Sequence, residues 1–221
     1  MSKSLVGKKV LINLGGTYEP IDPIRGISNK SSGKMGLALA KEAYIRGADL
    51  TLVVANVDIK IPSIFNQIHL ETTSEMIECI KKLIPDYDIF IATAAISDFE
   101  PIEMEETKIS SSHSLFLEFK PVEKIIRQIK KINKDVYLVG FKAKYNISEK
   151  ELIDDAKSQI EMAGSNLVVA NDLAHTGCGF GSETNEIILF KNNGQFRKVP
   201  LSSKNVLASL IFDEIEKDLE F

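Results

Sequence analysis

Tryptophan is absent from this 221-residue chain, and cysteine nearly so. The two cysteines, Cys79 and Cys178, lie far apart and make no C-x-x-C or metal-ligand spacing. That excludes a disulfide framework and points to a cytoplasmic location. No apolar run approaches the roughly 20 residues that a membrane helix needs. Met1 to Lys9 is polar and basic, and the apolar stretch after it stops at Gly15-Gly16, which is not a signal-peptide pattern. Neither sign of charge dominates: 27 Lys and Arg face 31 Asp and Glu, a net charge of −4 without a basic footprint for nucleic acid. Repeats and low-complexity tracts are missing too. What remains, 44% hydrophobic and 26% charged, is an ordinary globular composition long enough to bury a full core.

The apolar run Val10–Leu14 reads as a buried strand ending at Gly15-Gly16. A polar segment from Thr17 to Ser32 follows. Met35, Leu37, Leu39, Ala40, Ala43 and Tyr44 then set a helical period that stops at Gly47, a C-capping glycine. Leu50–Ala55 is the next strand, completing one βαβ unit. A weak strand over Ile68–Leu70, a helix over Thr73–Ile84 capped by Ser74 or Thr73, and a strand over Asp88–Thr93 come next. A helix begins after Pro121 and runs to Ile132, followed by a strand at Val136–Phe141. Ser148 and Glu151 form a capping box for a helix to Ala163, and Asn166–Ala170 is a strand. Glu186–Phe190 and Phe196–Pro200 flank the turn Asn192-Asn193-Gly194, and a last helix spans Ser202–Leu219. This alternation predicts an α/β fold: a three-layer, Rossmann-like, doubly wound, mostly parallel sheet with a C-terminal antiparallel hairpin, in one domain over 1–221. The interval from Ala94 to Pro121 breaks the rhythm and reads as a protruding loop or hairpin; loops of that length in compact domains are usually functional lids or disordered.

Ligands of open parallel sheets bind beyond the carboxyl ends of the strands. The first such loop ends in Ser28-Asn29-Lys30-Ser31-Ser32-Gly33-Lys34 directly before a helix. Two readings stand level there: a phosphate cradle of backbone N–H groups helped by Lys30 and Lys34, or a solvated helix start with two surface lysines. Asp98, just past a strand, is either a Mg²⁺ ligand or a turn residue. Lys108 in the long loop is either a mobile charge over a phosphate or a solvated side chain. The G-x-G-x-x-G fingerprint, an acidic residue after the second strand, a Tyr-x-x-x-Lys pair and a Walker motif are all missing, which counts against a nicotinamide or P-loop enzyme. The helix face Leu207, Leu210, Ile211 and Ile215 reads as core or dimer surface.

Taken together, Gly15–Arg25, Ile27–Gly36, Ala94–Asp98, Val139–Phe141, Leu167–Asp172 and Gly179–Glu186 resemble, in order and over nearly the whole chain, the phosphopantothenoylcysteine synthetases (phosphopantothenate–cysteine ligases) of coenzyme A biosynthesis. The resemblance implies a CTP- and Mg²⁺-dependent ligase. The carboxylate of 4′-phosphopantothenate attacks the α-phosphate to give an acyl-cytidylate, and L-cysteine then displaces CMP. It implies that Asn29 and Lys108 are catalytic, and that Gly15, Gly16, Thr17, Ser31, Ser32, Gly33, Ala92, Thr93, Ala94, Asp98, Lys108, Pro121, Val122, Glu123, Lys124 and Phe141 bind nucleotide. Asn29, Arg25 and Lys30 would bind substrate, and Asp98 the metal. A homodimer with a flap over about 94–121 is implied, as is fusion to or pairing with a phosphopantothenoylcysteine decarboxylase.

Three stretches depart from that pattern. The flap's lysine-rich motif is here Lys108-Ile109-Ser110-Ser111. Gln159 and Ala163 stand where bacterial members carry two nucleotide-contacting lysines, and Lys142-Ala143-Lys144 replaces Ala-Ala-Glu. These leave ATP or UTP open as the nucleotide. Outside the ligase reading stand a nucleotide-dependent oxidoreductase and a degenerate synthetase acting as a binding module.

Overall fold

The computed structural model describes residues 4–219. Strand β1 (Lys9–Leu14) is buried at every position but the first, as expected of a strand covered on both faces. A small hairpin, β2 (Tyr18–Asp22) and β3 (Arg25–Ser28), precedes α1 (Lys34–Ile45). Then come β4 (Asp49–Val54), β5 (Asn66–His69), α2 (Thr73–Leu83) and β6 (Ile89–Ala92). The short strands β7 (Phe99–Pro101) and β8 (Phe119–Pro121) bracket the flap. A 3₁₀ turn at Ile125–Arg127 and the brief α3 (Ile129–Ile132) lead to β9 (Tyr137–Lys144), α4 (Glu149–Ala163) and β10 (Leu167–Asp172). The chain finishes with β11 (Thr184–Lys191), β12 (Phe196–Ser203) and α5 (Lys204–Asp218).

Eight strands form one sheet in the order β12-β11-β10-β9-β6-β1-β4-β5. From β10 to β5 every pairing is parallel, while β11 and β12 add an antiparallel edge. The chain winds from β1 outward through β4 and β5, then returns to β6 on the other side of β1. The direction of winding therefore reverses between β1 and β6, and a crevice opens there at the strand ends. Strand pleating divides the core in two. Val10, Ile12 and Leu14 pack with Leu39 and Ala43 of α1 and Leu207 and Ile211 of α5. Leu11, between them, packs with Met76 and Ile80 of α2 and Ile129 of α3. On that second face Leu152 and Ala156 of α4 cover Val168 and Ala170. The expected three-layer α/β fold is the one observed.

Local expectations were met unevenly. Gly47 takes a positive φ of 88°, and Ala48 N–H donates to Ala43 O at 3.0 Å, closing α1 as a C-cap glycine should. Ser148 and Glu151 make the expected capping box. The α2 cap is one residue earlier than predicted: Thr72, not Thr73 or Ser74, accepts from Glu75 N–H, and Thr73 instead buries its hydroxyl against Thr17 Oγ1 at 2.8 Å. The segment from Thr17 to Ser32, read only as a polar stretch, holds the β2–β3 hairpin, with Pro20 inside β2 and Pro23 in the turn. The helix expected from Pro121 to Ile132 is only the 3₁₀ turn and α3. The interval read as a protruding loop or hairpin pairs only at its base, where β8 meets β7. On α5, Leu207, Ile211 and Ile215 are fully buried, so that face is core and not partner surface.

Candidate active site

Three loops converge beyond the carboxyl ends of β1 and β6, and two adjacent glycines let them meet. Gly16 N–H donates to Asn56 O at 2.9 Å, Ala95 N–H donates to Gly15 O at 2.8 Å, and Thr17 N–H donates to Ala95 O at 3.3 Å. Gly15 has φ 92°, and a Cβ on Gly16 would lie 2.5 Å from Asn29 O. Glycine is thus required where the Asn29 loop presses on the end of β1. Thr17 is fully buried, and its hydroxyl receives Ser97 N–H at 2.9 Å. These three residues, expected to touch nucleotide, stand behind the wall of the crevice and set its shape.

The crevice itself has a volume of about 370 Å³. One end is the N-terminus of α1, where Ser31, Ser32, Gly33 and Lys34 line it. Gly33 is the α1 N-cap with φ 76°, and no side chain caps the helix. The free N–H groups of that first turn, with the helix dipole, favour an anion. Gly36 keeps α1 close to the sheet: a Cβ there would lie 2.5 Å from Leu14 Cβ and 2.8 Å from Thr93 Oγ1. The floor is Ala92, Thr93 and Ala94, and the far wall is Val122, Glu123, Lys124, Phe141 and Gln159. Four lysines, Lys34, Lys124, Lys142 and Lys204, face the crevice against two carboxylates, Asp98 and Glu123. Burial lowers the pKa of both Lys142 and Lys204, a cost that an entering anion would offset.

Several polar groups here are already committed. Asp98 Oδ1 lies 3.4 Å from Lys124 Nζ. Lys34 Nζ donates to Gly181 O and to Glu183 Oε1, both at 2.5 Å, which ties α1 to the loop before β11. Asn13 is buried in β1, and its Oδ1 accepts from Thr93 N–H at 2.8 Å and Ala94 N–H at 3.1 Å, fixing the floor. Gln159 differs: its buried Nε2 has no hydrogen-bond partner among the described residues.

Asn29 and Lys30 do not line this crevice. They line an adjoining cleft, with Ser31, Ser32 and Phe180 common to both. Asn29 Nδ2 donates to Ala95 O at 3.1 Å and Ile96 O at 3.4 Å, so its amide reaches across to the β6 loop. Arg25 and Lys108 line neither. Arg25 pairs with buried Asp22 at 2.5 Å, and its Nη2 donates to Ile109 O of the flap at 2.7 Å. Lys108 is exposed, and Pro121 stands outside the crevice, next to Val122. Among the described residues, no group of three His, Cys, Asp or Glu side chains could hold a metal ion.

Asn13, Lys204, Cys178 and Phe180 were not singled out from sequence as site residues. Asn13 had a readable signal, a polar side chain inside an apolar strand. Lys204 and Phe180 arrive through tertiary folding alone.

The arrangement defines a class: a three-layer α/β domain with an electropositive crevice at the winding reversal of its sheet. The chain belongs to the DNA/pantothenate metabolism flavoprotein C-terminal domain family, whose pattern matches residues 5–219. It is 47% identical over 220 residues to the coenzyme A biosynthesis bifunctional protein CoaBC of Thermococcus kodakarensis, covering 98% of this chain and 53% of that protein. With the protein of the same name from Vibrio cholerae it shares 37% identity, covering 98% and 54%. The chain therefore spans about half the length of these relatives. The crystal structure of the C-terminal domain of a CoaBC protein superposes with a TM-score of 0.83 at 27% identity, covering 99% of both chains.

Proposed function

We propose that this chain is a phosphopantothenate–cysteine ligase of coenzyme A biosynthesis, acting through an acyl-nucleotidylate with CTP and Mg²⁺. The observation that carries the reading is the junction of the two clefts at Ser31 and Ser32. An anion-favouring helix start lies on one side, and Asn29 on the other.

The nucleotide's phosphates would take the first-turn N–H groups of α1 together with Lys34 and Lys204, while the nucleoside extends toward Phe141 and Gln159. The unspent Nε2 of Gln159 needs an acceptor, and a nucleobase carries one. Mg²⁺ would come as part of the substrate. It is suited to phosphate oxygens plus a single carboxylate, which Asp98 supplies, and no dedicated protein cage is required. In the first step the 4′-phosphopantothenate carboxylate attacks the α-phosphate, and the charge leaving on pyrophosphate meets backbone N–H groups and lysines. In the second the cysteine amine attacks the acyl carbon. Asn29 would meet the developing oxyanion by giving up its longer bond, the one to Ile96 O. The chain would act as a homodimer, with the flap near the partner's site, since Phe116 there is 91% exposed while Leu207, Ile211 and Ile215 of α5 are buried in the core. A decarboxylase half, fused or separate, would supply the complementary activity.

The test is pyrophosphate release from each of CTP, ATP and UTP with 4′-phosphopantothenate, with and without cysteine, and mass spectrometry of the product. Release with CTP and cysteine-dependent formation of 4′-phosphopantothenoylcysteine are expected. Absence of pyrophosphate release from every nucleotide would sink the reading, and a preference for ATP or UTP would correct the nucleotide.

A further inference from the structure

The second cleft, of about 400 Å³, has a polar lining of serine, asparagine, glycine and two charged side chains, with one exception. Among the described residues, Phe180 is its only apolar side chain. The ring belongs to the loop between β10 and β11 and is 51% exposed. Its place is particular. Cys178 and Gly179 line the nucleotide crevice, Gly181 lines the second cleft, and Phe180 lines both. The chain thus passes from one cleft to the other at this residue.

Both sides of the ring are tethered. Before it, Cys178 N–H donates to His175 O at 3.0 Å, and Cys178 Sγ accepts from Glu186 N–H at 3.3 Å. After it, Lys34 Nζ donates to Gly181 O and Lys204 Nζ to Ser182 O, each at 2.5 Å. An ammonium group has three N–H donors. Lys34 spends a second one on Glu183, so it keeps one, and Lys204 keeps two. The same two groups can therefore hold the loop and a phosphate together. A bound nucleotide is joined to the loop through them, and the ring stays at the junction while the nucleotide is in place.

We infer that Phe180 shields the acyl carbon of the acyl-nucleotide from water, so that the acceptor amine takes the acyl group. The inference rests on the ligase reading. An acyl-nucleotide spanning the two clefts has its acyl carbon at their junction, with Asn29 on one side and Phe180 on the other. A mixed anhydride there is open to hydrolysis. The water oxygen would form the new C–O bond, the acyl–phosphate C–O bond would break with its electron pair on the nucleoside monophosphate, and the water's protons would pass to solvent. The acid substrate would be regenerated and the triphosphate wasted. Keeping water from a reactive intermediate is a general task of an active site. Serines, asparagines and glycines attract or admit water, whereas the ring fills the space beside the acyl carbon and leaves the Asn29 side for the amine.

The test is the ratio of 4′-phosphopantothenoylcysteine formed to pyrophosphate released, which does not depend on how much of a sample is active. Wild type should give about one, Phe180→Ala about one half or less, and Phe180→Leu, which keeps an apolar side chain of similar reach, most of the wild-type ratio. With cysteine omitted, wild type should stop after about one pyrophosphate per site, while Phe180→Ala should continue to turn over and accumulate nucleoside monophosphate. The ring is half exposed, so Phe180→Ala should melt within about 2 °C of wild type. A ratio that stays near one in Phe180→Ala would overturn the inference, even if KM for nucleotide or phosphopantothenate rises, because the ring would then be a binding contact and no shield. Absence of pyrophosphate release by wild type from every nucleotide is a different failure: it removes the ligase reading, and this inference with it.

Discussion

At the scale of single residues, the site depends on atoms that are missing as much as on those present. Gly16 has no Cβ, and one added there would stand 2.5 Å from a backbone oxygen of Asn29. Backbone cannot rotate aside as a side chain can, so Gly16→Ala should push the Asn29 loop off the β1 end. We expect a loss of about 1–3 kcal/mol in stability by denaturant melts, with a larger fractional loss of activity. Wild-type activity in that variant would mean the loop tolerates the shift. Asn29 itself is exposed and carries no core contact, so Asn29→Ala should fold normally. Removing an amide donor from a developing oxyanion costs about 10²–10³ in rate, which single-turnover kinetics of the cysteine step would resolve. Near wild-type turnover would take Asn29 out of the chemistry. In the sequence, the glycine- and serine-rich loop with Ser31, Ser32 and Gly33 stood out because it lies directly before an apolar helix, while Asn29 was singled out only through the family resemblance. Lys204 was not legible: it opens a helix whose local pattern is ordinary, and only the sheet's winding turns it toward the crevice.

At the scale of elements, the flap is the least regular segment and the one whose anchoring was unexpected. Its seat is the β2–β3 hairpin. Asp22 Oδ2 accepts from Ile109 N–H at 3.1 Å, Arg25 Nη2 donates to Ile109 O at 2.7 Å, and Glu105 N–H donates to Ile21 O at 3.1 Å. The hydrogen bond from Arg25 outweighs burial and holds the Asp22 carboxyl well below its ordinary value of 3.8. The sign follows: a depressed carboxylate pKa stabilises this contact above about pH 4, and the stabilisation is lost as pH falls through the folded value. Asp22→Asn should therefore release the flap at neutral pH, seen as faster amide exchange at Ile109 and Glu105 and easier proteolysis between residues 102 and 118. Unchanged exchange would place the anchor elsewhere. Lys108, one residue from Ile109, is exposed on this segment. Lys108→Ala should slow pyrophosphate release more than the cysteine step, because charge on the leaving group builds only in the first. Equal effects on the two half-reactions would show a solvated bystander. The hairpin escaped sequence reading because its strands are short and polar with Pro20 inside one of them, and the helix after Pro121 was overestimated because an i, i+3 apolar pair suits a single 3₁₀ turn as well as a longer helix.

At the scale of the whole molecule, the buried parallel strands were legible as short aliphatic runs between turn signals, whereas the edge strand β5, Asn66–His69, showed only as a weak signal over Ile68–Leu70. The antiparallel edge was legible from Asn193-Gly194, but what fastens it was not. Lys191 of β11 bonds both Glu214 and Asp218 of α5, at 2.8 and 2.7 Å, and Glu214 also meets Lys217 and Arg197. Tyr137 of β9 donates to Asp218 at 2.6 Å, so one cluster clamps the last helix to three strands. Burial alone would raise the pKa of Glu214, but hydrogen bonds from Lys191 and Lys217 prevail and lower it to about 2 from an ordinary 4.5. The contribution of this group is thus complete above about pH 4.5 and disappears as pH falls toward 2. Glu214→Gln keeps the shape and removes the charge. A largely buried charge-assisted bond contributes about 1–3 kcal/mol, and a chain of this size loses roughly 2–4 °C in Tm per kcal/mol. The variant should melt about 5 °C below wild type at pH 7, and the two melting curves should converge below about pH 3. A gap that stays constant down to pH 2 would show that Glu214 acts through packing, and that its charge does not hold the edge of the sheet in place.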